Sequence, residues 1–280
     1  MKNKLTVGVT LHKESIKDLE FSIDNIKDLN NIEILIHVDN NKKLSNLVKH
    51  ELPFLGVIES DTNVGLGESR NKLIKSCTTE WITFLDCKDK LNHELLLSEI
   101  FKLDSSIDAY FYQIEKIYSK TEKVRTLSIS QSKYKLLWLN SIFKLSNNAT
   151  AKVYNVEFLK NNNIYFDSLN IYHEDLIFTP KLLSKIKKLR FHDKVIYFWY
   201  VETNSLSTSM NWKKLRDLEY IFNQRRPFYK SLDEDYDLKL SKLSEQRFVF
   251  LAIWKSKKLY YLLPAFYIFK IKNKYSSSDV

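Results

Sequence analysis

The chain has 280 residues, 44% hydrophobic and 28% charged, which excludes a disordered chain and leaves room for one large domain or two small ones around a substantial core. The formal net charge is +10, and it is uneven: residues 238–275 hold nine Lys/Arg against Glu245 alone, a net +8. Two cysteines, Cys77 and Cys87, exclude a disulfide framework and suit a reducing cytosol.

Residues 4–10 form an apolar run that predicts a buried strand. The basic tip before it precedes too short an apolar stretch, with a glycine in it, for a signal peptide. Ser15-Ile16-Lys17-Asp18 resembles a capping box, and Ile16, Leu19, Ile23, Ile26 and Leu29 follow at helical spacing. IEILIHVD (32–39) reads as a second buried strand, LSNLVKHEL (44–52) as a short helix and FLGVIES (54–60) as a strand. GESRNKLIKSC (67–77) reads as a helix and EWITFLD (80–86) as a fourth strand. Strands alternating with helices predict βαβ units and a parallel sheet. Ligands bind at the carboxyl ends of strands in such sheets, so Thr10, Asp39, the Asp61-Thr62-Asn63 turn and Asp86 should share one rim.

The texture changes near residue 106. IDAYFYQIEKIYS (107–119) and KVRTLSIS (123–130) alternate apolar and polar residues, as half-exposed antiparallel strands do. Residues 151–167 read as a strand or short helix with an Asn-rich turn, and HEDLIFTPKLLSKI (173–186) as a helix with an acidic first turn and Pro180 inside it. RFHDKVIYFWYVET (190–203) reads as a strand, and the chain from 213 on as helical and basic. No apolar stretch approaches the roughly 20 residues of a membrane-spanning helix. The basic residues and aromatics of 238–275, among them Phe248, Phe250, Trp254, Tyr260, Tyr261 and Phe266, fit a helical cap on the core, an interfacial helix on an anionic membrane, or, least well, nucleic-acid binding.

Several motifs stand in register: VGVTLHKES, EILIHVDNN, NVGLGESRN with EWITFLDCKD, and HEDLIF about 90 residues later. This order resembles the family 2 glycosyltransferases with the GT-A fold. The likeness covers residues 4 to about 90 well, 150–210 loosely and the tail not at all. It implies an α/β fold: a Rossmann-like mixed central sheet flanked by helices, here with a basic, aromatic helical extension. It also implies a nucleotide-sugar-binding half (1–105), an acceptor and catalytic half (106–212) and a helical region (213–280).

The resemblance implies roles residue by residue. Thr10, His12 and Glu14 border the nucleotide base. Asp39 contacts the uracil or ribose. Asn63, Gly65, Arg70 and Asn71 line the nucleotide pocket. Asp86, with Cys87 and Lys88 after it, lies near the ribose and diphosphate. Glu174 and Asp175 match the family's Glu-Asp pair, whose aspartate is commonly the base. Transfer from a sugar nucleotide needs the diphosphate's charge stabilised and a base for the acceptor hydroxyl. A base in a helix's first turn, such as Asp175, is held rigidly and favoured as the anion by the helix dipole.

Two departures matter. The family's Asp-x-Asp-Asp is here Asp86-Cys87-Lys88-Asp89, so a lysine stands where the metal carboxylate belongs. Protonated, it repels a divalent cation, but it can neutralise a diphosphate directly. Three readings stay open: Lys88 faces the phosphates, manganese or magnesium shifts to Asp86 and Asp89, or the site only binds. The second departure is in YFWYVETNSLSTS (197–209), where Tyr200 and Glu202 stand in place of one or two arginines. Cys87 reads as a small filler.

The expected function is transfer of a sugar, with inversion and Asp175 as base, from a nucleotide donor (a UDP-sugar above others) to a hydroxyl of a surface glycan, lipid-linked or protein-linked acceptor. The expected location is cytoplasmic, with peripheral contact at the inner membrane face through 238–275. The alternatives are a silent sugar-nucleotide-binding module and a membrane-associated scaffold acting through the tail. Donor sugar, linkage and oligomeric state are not encoded in these motifs.

Overall fold

The structure is a computed structural model that describes residues 4–118, 125–127, 148–201 and 211–232, and the helical positions 245–246, 249–251, 253–254, 259–262 and 265. Residues 123–124 and 128–130 of the predicted strand at 123–130, Glu202 and most of the basic tail lie outside the described residues. The described residues group into two compact units. The first lies within Met1–Gln131, Asn148–Asn170 and Lys185–Val201, the second within Ser132–Asn147, Ile171–Ser184 and Glu202–Val280.

The first unit holds a mixed sheet. Strands β1 (Leu5–Leu11), β2 (Ile32–Asp39), β3 (Gly56–Ser60) and β4 (Trp81–Asp86) alternate with helices α1 (Ile16–Ile23), α2 (Lys42–Glu51) and α3 (Gly65–Ser76). β1 pairs in parallel with both β2 and β4, and β2 pairs in parallel with β3. Leu5, Val7 and Val9 are fully buried on one face of β1, and Thr6 is fully buried on the other. A parallel strand covered on both faces reads as the near-continuous apolar run seen in the sequence.

The predicted capping box is present: Ser15 Oγ accepts from the Asp18 amide, and Asp18 Oδ2 accepts from the Ser15 amide at 2.8 Å. The helix is shorter than its apolar spacing predicts. It ends at Ile23, and Ile26 is buried from a following turn (1% exposed).

β5 (Lys90–Leu91) and α4 (His93–Ile100) lead to β6 (Ala109–Tyr118), followed by β7 (Arg125–Leu127), β8 (Lys152–Asn155), α5 (Val156–Asn161) and β9 (Leu189–Val201). The sheet runs β3-β2-β1-β4-β8-β6-β9-β5, with β7 beside β6. The segment read as "strand or short helix" is both in turn: Asn155 ends β8 and caps α5 by accepting from the Phe158 amide at 2.9 Å. β6 departs from its alternating pattern. It is buried on both faces from Ala109 to Ile114, and its two edges are paired with antiparallel β8 and parallel β9. Tyr110, Tyr112 and Gln113 therefore sit inside, and Tyr112 stacks on His192 at 4.8 Å.

The second unit contains α6 (Asp175–Lys185, whose last residue is counted with the first unit) and α7 (Trp212–Leu232). Its core joins Leu176, Ile177, Leu215, Leu218, Phe222, Val249 and Ile253. Val249 and Ile253 face this core one turn apart, while Leu251 and Trp254 are exposed, as helical spacing requires. Glu245, the one acid of the basic tail, is buried at 1% exposure and paired with Arg225 at 3.5 Å and Arg226 at 2.6 Å. No helix among the described residues is long and apolar enough to cross a membrane.

Removing one member of a buried ion pair leaves an uncompensated charge, at a cost of about 3 kcal/mol. Glu245→Gln should therefore lower the thermal midpoint of the second unit's transition, read by calorimetry. Glu115→Gln, on a half-buried strand position, should change it little.

Candidate functional site

Register brings the predicted rim together. Thr10 pairs with Asp86 on one side and His37 on the other, and Asp39 pairs with Ser60. Asp39 is 4% exposed. Its Oδ1 accepts from the Val64 amide at 2.9 Å and its Oδ2 from the Gly65 amide at 3.0 Å. A carboxylate at a helix start answers amides that have no partner within the helix. Asp39 therefore ties the end of β2 to the start of α3. Gly65 is required there: its φ is +83°, and an added Cβ would lie 2.7 Å from Asn170 Oδ1.

His12 faces the same corner. Its Nδ1 lies 2.9 Å from the Asp39 carbonyl, and its Nε2 lies 3.4 Å from Asn63 Nδ2. Asn170 Nδ2 donates to Asn63 Oδ1 at 3.0 Å. Glu14 shapes the loop: its Oε2 accepts from the amides of His12 at 2.8 Å and Lys13 at 3.1 Å. Asn71 is 3% exposed, and its amide bonds the Phe166 carbonyl, the Phe166 amide and Glu68. It pins the chain around Phe166 to α3. Asn170, Phe166 and Asn71 thus form a framework behind the pocket residues, and neither Asn170 nor Phe166 carries a sequence motif that points to it.

Arg70 is buried and reaches Asp86 Oδ1 with Nη2 at 2.7 Å. Its guanidinium lies 5.7 Å from the Phe84 ring centroid and 5.5 Å from that of Phe166. Aromatic faces favour a desolvated guanidinium, so the cation is held in place while the Asp86 side chain stays 43% exposed. Of the two strand-ending acids, Asp39 is buried and Asp86 is the one turned outward.

The turn after Asp86 is closely held. Lys88 has φ +79°, an unusual region for a residue with a side chain. Its amide donates to Ser22 Oγ on α1 at 2.7 Å. Its ammonium also lies within electrostatic reach of Asp18. Asp18 sits below the usual carboxylate range chiefly through the Ser15 amide, against some desolvation, with smaller help from the Ser15 hydroxyl and Lys88. Cys87 is half-buried, and burial foremost, then the charges of Glu14 and Asp18, push its thiol up to about 12, so it is no nucleophile in this state.

Asp89 is buried, with its Oδ2 accepting from the Tyr197 hydroxyl at 2.7 Å and its Oδ1 from the Tyr200 amide at 2.9 Å. A hard divalent cation takes several oxygen ligands at once. Here Asp86 shares one oxygen with Arg70, both Asp89 oxygens bind protein donors, and Lys88 stands between the two acids. No group of three or more His, Cys, Asp or Glu fit to hold a metal stands among the described residues. These residues do not fit a cation held by the protein itself.

The Glu174-Asp175 pair lies in the second unit, at the start of α6. Glu174 is 4% exposed, and its carbonyl accepts from the amides of Ile177 and Phe178. Asp175 is half-buried, so it is the more accessible acid of the two. His173 precedes them with φ +63°, its ring held down to about 4 by burial and then by Lys214. Lys214 is itself lowered to about 8 by burial.

Ser60, beside Asp39, joins two further groups. It accepts from Lys72 Nζ at 2.7 Å and lies 2.8 Å from His37 Nε2. Lys72 can only donate, so Ser60 Oγ accepts from it and keeps a second lone pair and its own hydrogen for the contact with His37. Burial foremost, then the Lys72 charge, lowers His37 to about 4.

The glycosyl transferase family 2 profile matches residues 6–161, more than half of the chain. The chain is 26% identical over 198 residues to the poly(ribitol-phosphate) beta-N-acetylglucosaminyltransferase TarS of Staphylococcus aureus, matching 68% of this chain and 32% of TarS. It therefore spans about a third of that relative's length. The solved TarS fragment 1–349 in complex with UDP-GlcNAc superposes with a TM-score of 0.58 at 20% identity, over 93% of this chain and 75% of the fragment. A further crystal structure of TarS gives a TM-score of 0.54 at 21% identity, over 88% of this chain and 43% of TarS. At these identities the solved structures speak to the shared fold.

A histidine held neutral in the native state has a definite pH signature. Unfolded His37 takes a proton near pH 6.5, whereas native His37 takes it near 4. Between those values the unfolded chain binds more protons. Stability from this site is therefore complete above about pH 6.5, falls as the pH drops, and is lost below about 4. His173 acts in the same window. In urea titrations from pH 4 to 7, His37→Asn should reduce the pH slope of stability by about one proton, roughly 1.4 kcal/mol per pH unit at most.

Proposed function

This chain belongs to glycosyl transferase family 2, and from that premise we propose that it moves a sugar from a UDP-linked donor to a hydroxyl of a surface glycan. The single observation that carries the proposal is the rim itself. Asp39 and Asp86 end βαβ strands on either side of β1 within the matched stretch, and Asp86 alone of Asp39, Asp86 and Asp89 is substantially exposed. TarS, crystallised with UDP-GlcNAc and with UDP, supports a uridine donor, and its named acceptor, poly(ribitol-phosphate), supports a polyol-phosphate chain among the candidate acceptors.

In this reading, Thr10, His12, Glu14, Asn63 and Asp39 frame the base and ribose. Asp39 does so through the α3 start that it fixes. Arg70 holds Asp86 toward the ribose and diphosphate. Lys88 neutralises the charge that grows on the leaving diphosphate as the glycosidic C–O bond breaks. Charge placed beforehand at a leaving group is often the largest catalytic contribution. Asp175 takes the proton of the acceptor hydroxyl, whose oxygen attacks from the opposite face of the sugar, so the anomeric centre inverts. Two things support Asp175 over Glu174: its motif position and its greater exposure. The basic tail adds peripheral contact with an anionic membrane, supported by its net +8 and by the burial of Glu245, its one acid, against two arginines.

Turnover of UDP-GlcNAc and other UDP-sugars, followed by UDP release in the presence of candidate acceptors with manganese, magnesium or chelator, tests the reading. Transfer that survives chelator is expected; its loss would mean that a metal, and not Lys88, neutralises the diphosphate. Asp175→Asn should keep UDP binding and lower kcat by about 10² to 10⁴. Transfer at the wild-type rate would remove Asp175 as base.

Lys88→Gly separates charge from fold. Glycine relieves the positive φ, so the thermal midpoint should hold or rise, while turnover falls by about 10². Equal turnover would show that the ammonium takes no part.

A further inference from the structure

The four-residue turn Asp86-Cys87-Lys88-Asp89 has no glycine, yet Lys88 holds φ +79°. Such a conformation persists only where the surroundings over-determine it. The surroundings here are specific. Tyr197, on β9 and 1% exposed, donates its hydroxyl hydrogen to Asp89 Oδ2 at 2.7 Å and accepts from the Asp86 amide at 3.2 Å. One phenol oxygen therefore ties the first residue of the turn to the last. The Asp89 amide closes the turn on the Asp86 carbonyl at 3.1 Å, and the Tyr200 amide holds the other Asp89 oxygen. β5 then pairs with β9, Leu91 opposite Tyr197 and Lys90 opposite Phe198, so clamp and strand pairing share one register.

From this geometry we infer that Tyr197 is a positioning residue for transfer: its hydroxyl fixes the Asp86–Asp89 turn so that Lys88 and Asp86 meet the donor diphosphate. The part concerning the diphosphate rests on the function proposed above; the clamp rests on the contacts alone. A tyrosine present only to fill the core would be replaced by phenylalanine without local effect. This one is different because its hydroxyl is the donor to a buried carboxylate. Burial, foremost, and the Asp89 charge also keep the phenol protonated far into the alkaline range, so it remains a donor.

The two cysteines make the clamp measurable without any substrate. Cys87 lies inside the turn, half-buried, and Cys77 is buried in the core at 4% exposure. In Tyr197→Phe, alkylation of Cys87 under native conditions should rise about tenfold while that of Cys77 stays at the wild-type rate, because only the turn opens. With donor, the same variant should lose about tenfold in kcat, with donor KM changed less than about threefold, because the misplaced ammonium acts on charge that develops only in the transition state. Asp89→Asn loosens the turn from its other side and should shift both readouts in the same direction, which keeps the test open if Tyr197→Phe folds poorly.

An unchanged Cys87 rate in both variants overturns the clamp. A parallel rise at Cys87 and Cys77 also overturns it, since the hydroxyl would then serve the fold as a whole. Faster Cys87 alkylation with wild-type kcat overturns the positioning role. If the wild-type chain turns over no UDP-sugar, the functional reading fails, and the alkylation rates still decide the clamp.

Discussion

The parallel pairing of β1 with both β2 and β4 is the constraint on which the rim depends. Parallel neighbours need crossover connections, so each strand ends on the same edge and hands over to a loop and helix there. Thr10, Asp39 and Asp86 meet because Thr10 is opposite Asp86 and near the end of β2. Side chains alternate along a strand, so a slip of one residue would turn each of them to the other face. Both faces are buried, and the slip is opposed because it would move Thr6 and His37 onto the face where Val7, Val9, Ile36, Val38 and Leu85 pack.

Asp39, Asp86 and Asp89 on this edge have three different roles, and environment separates them. Asp39 is buried against the amides that open α3. Asp89 is buried under a phenol and an amide from β9. Asp86, held by Arg70, is the one that faces outward. A buried carboxylate is stable only with donors on its oxygens, so two of the three are committed to the scaffold before any ligand arrives. Lys88 then stands beside the remaining acid in a backbone conformation fixed by Ser22 and the clamp. The chain belongs to glycosyl transferase family 2 and has the GT-A fold, and this arrangement is its local departure from the Asp-x-Asp-Asp pattern.

Much of the first half was legible in the sequence. Its strands are long apolar runs, most of them ended by polar or acidic residues, and its helices start at readable caps such as Ser15 with Asp18. The second half was less legible for a physical reason. Alternation along β6 predicted one wet face, but both faces are buried from Ala109 to Ile114, and no residue within β6 records what will pack over it. The apolar spacing after α1 likewise carried the expected helix to Leu29, although Ile26 reaches the core from a turn. The framework residues Tyr197, Asn170 and Phe166 carry no local signal, because each acts through a partner 95 to 111 positions away.

By itself, the sequence determined the order of strands and helices through β4, the parallel half of the sheet, the family and the positions of the acids and the odd lysine, but not β5 and the helix His93–Ile100. These follow from short-range patterns: hydrophobic period, capping chemistry and motif spacing. The tertiary structure decided which carboxylates are engaged and which is presented. It also decided that Glu174 is buried where Asp175 is not, and that the Asp86–Asp89 turn is locked from β9. Those outcomes depend on contacts between residues far apart in the chain, and burial, which sets the cost of leaving a charge unpaired, exists only once the elements have packed.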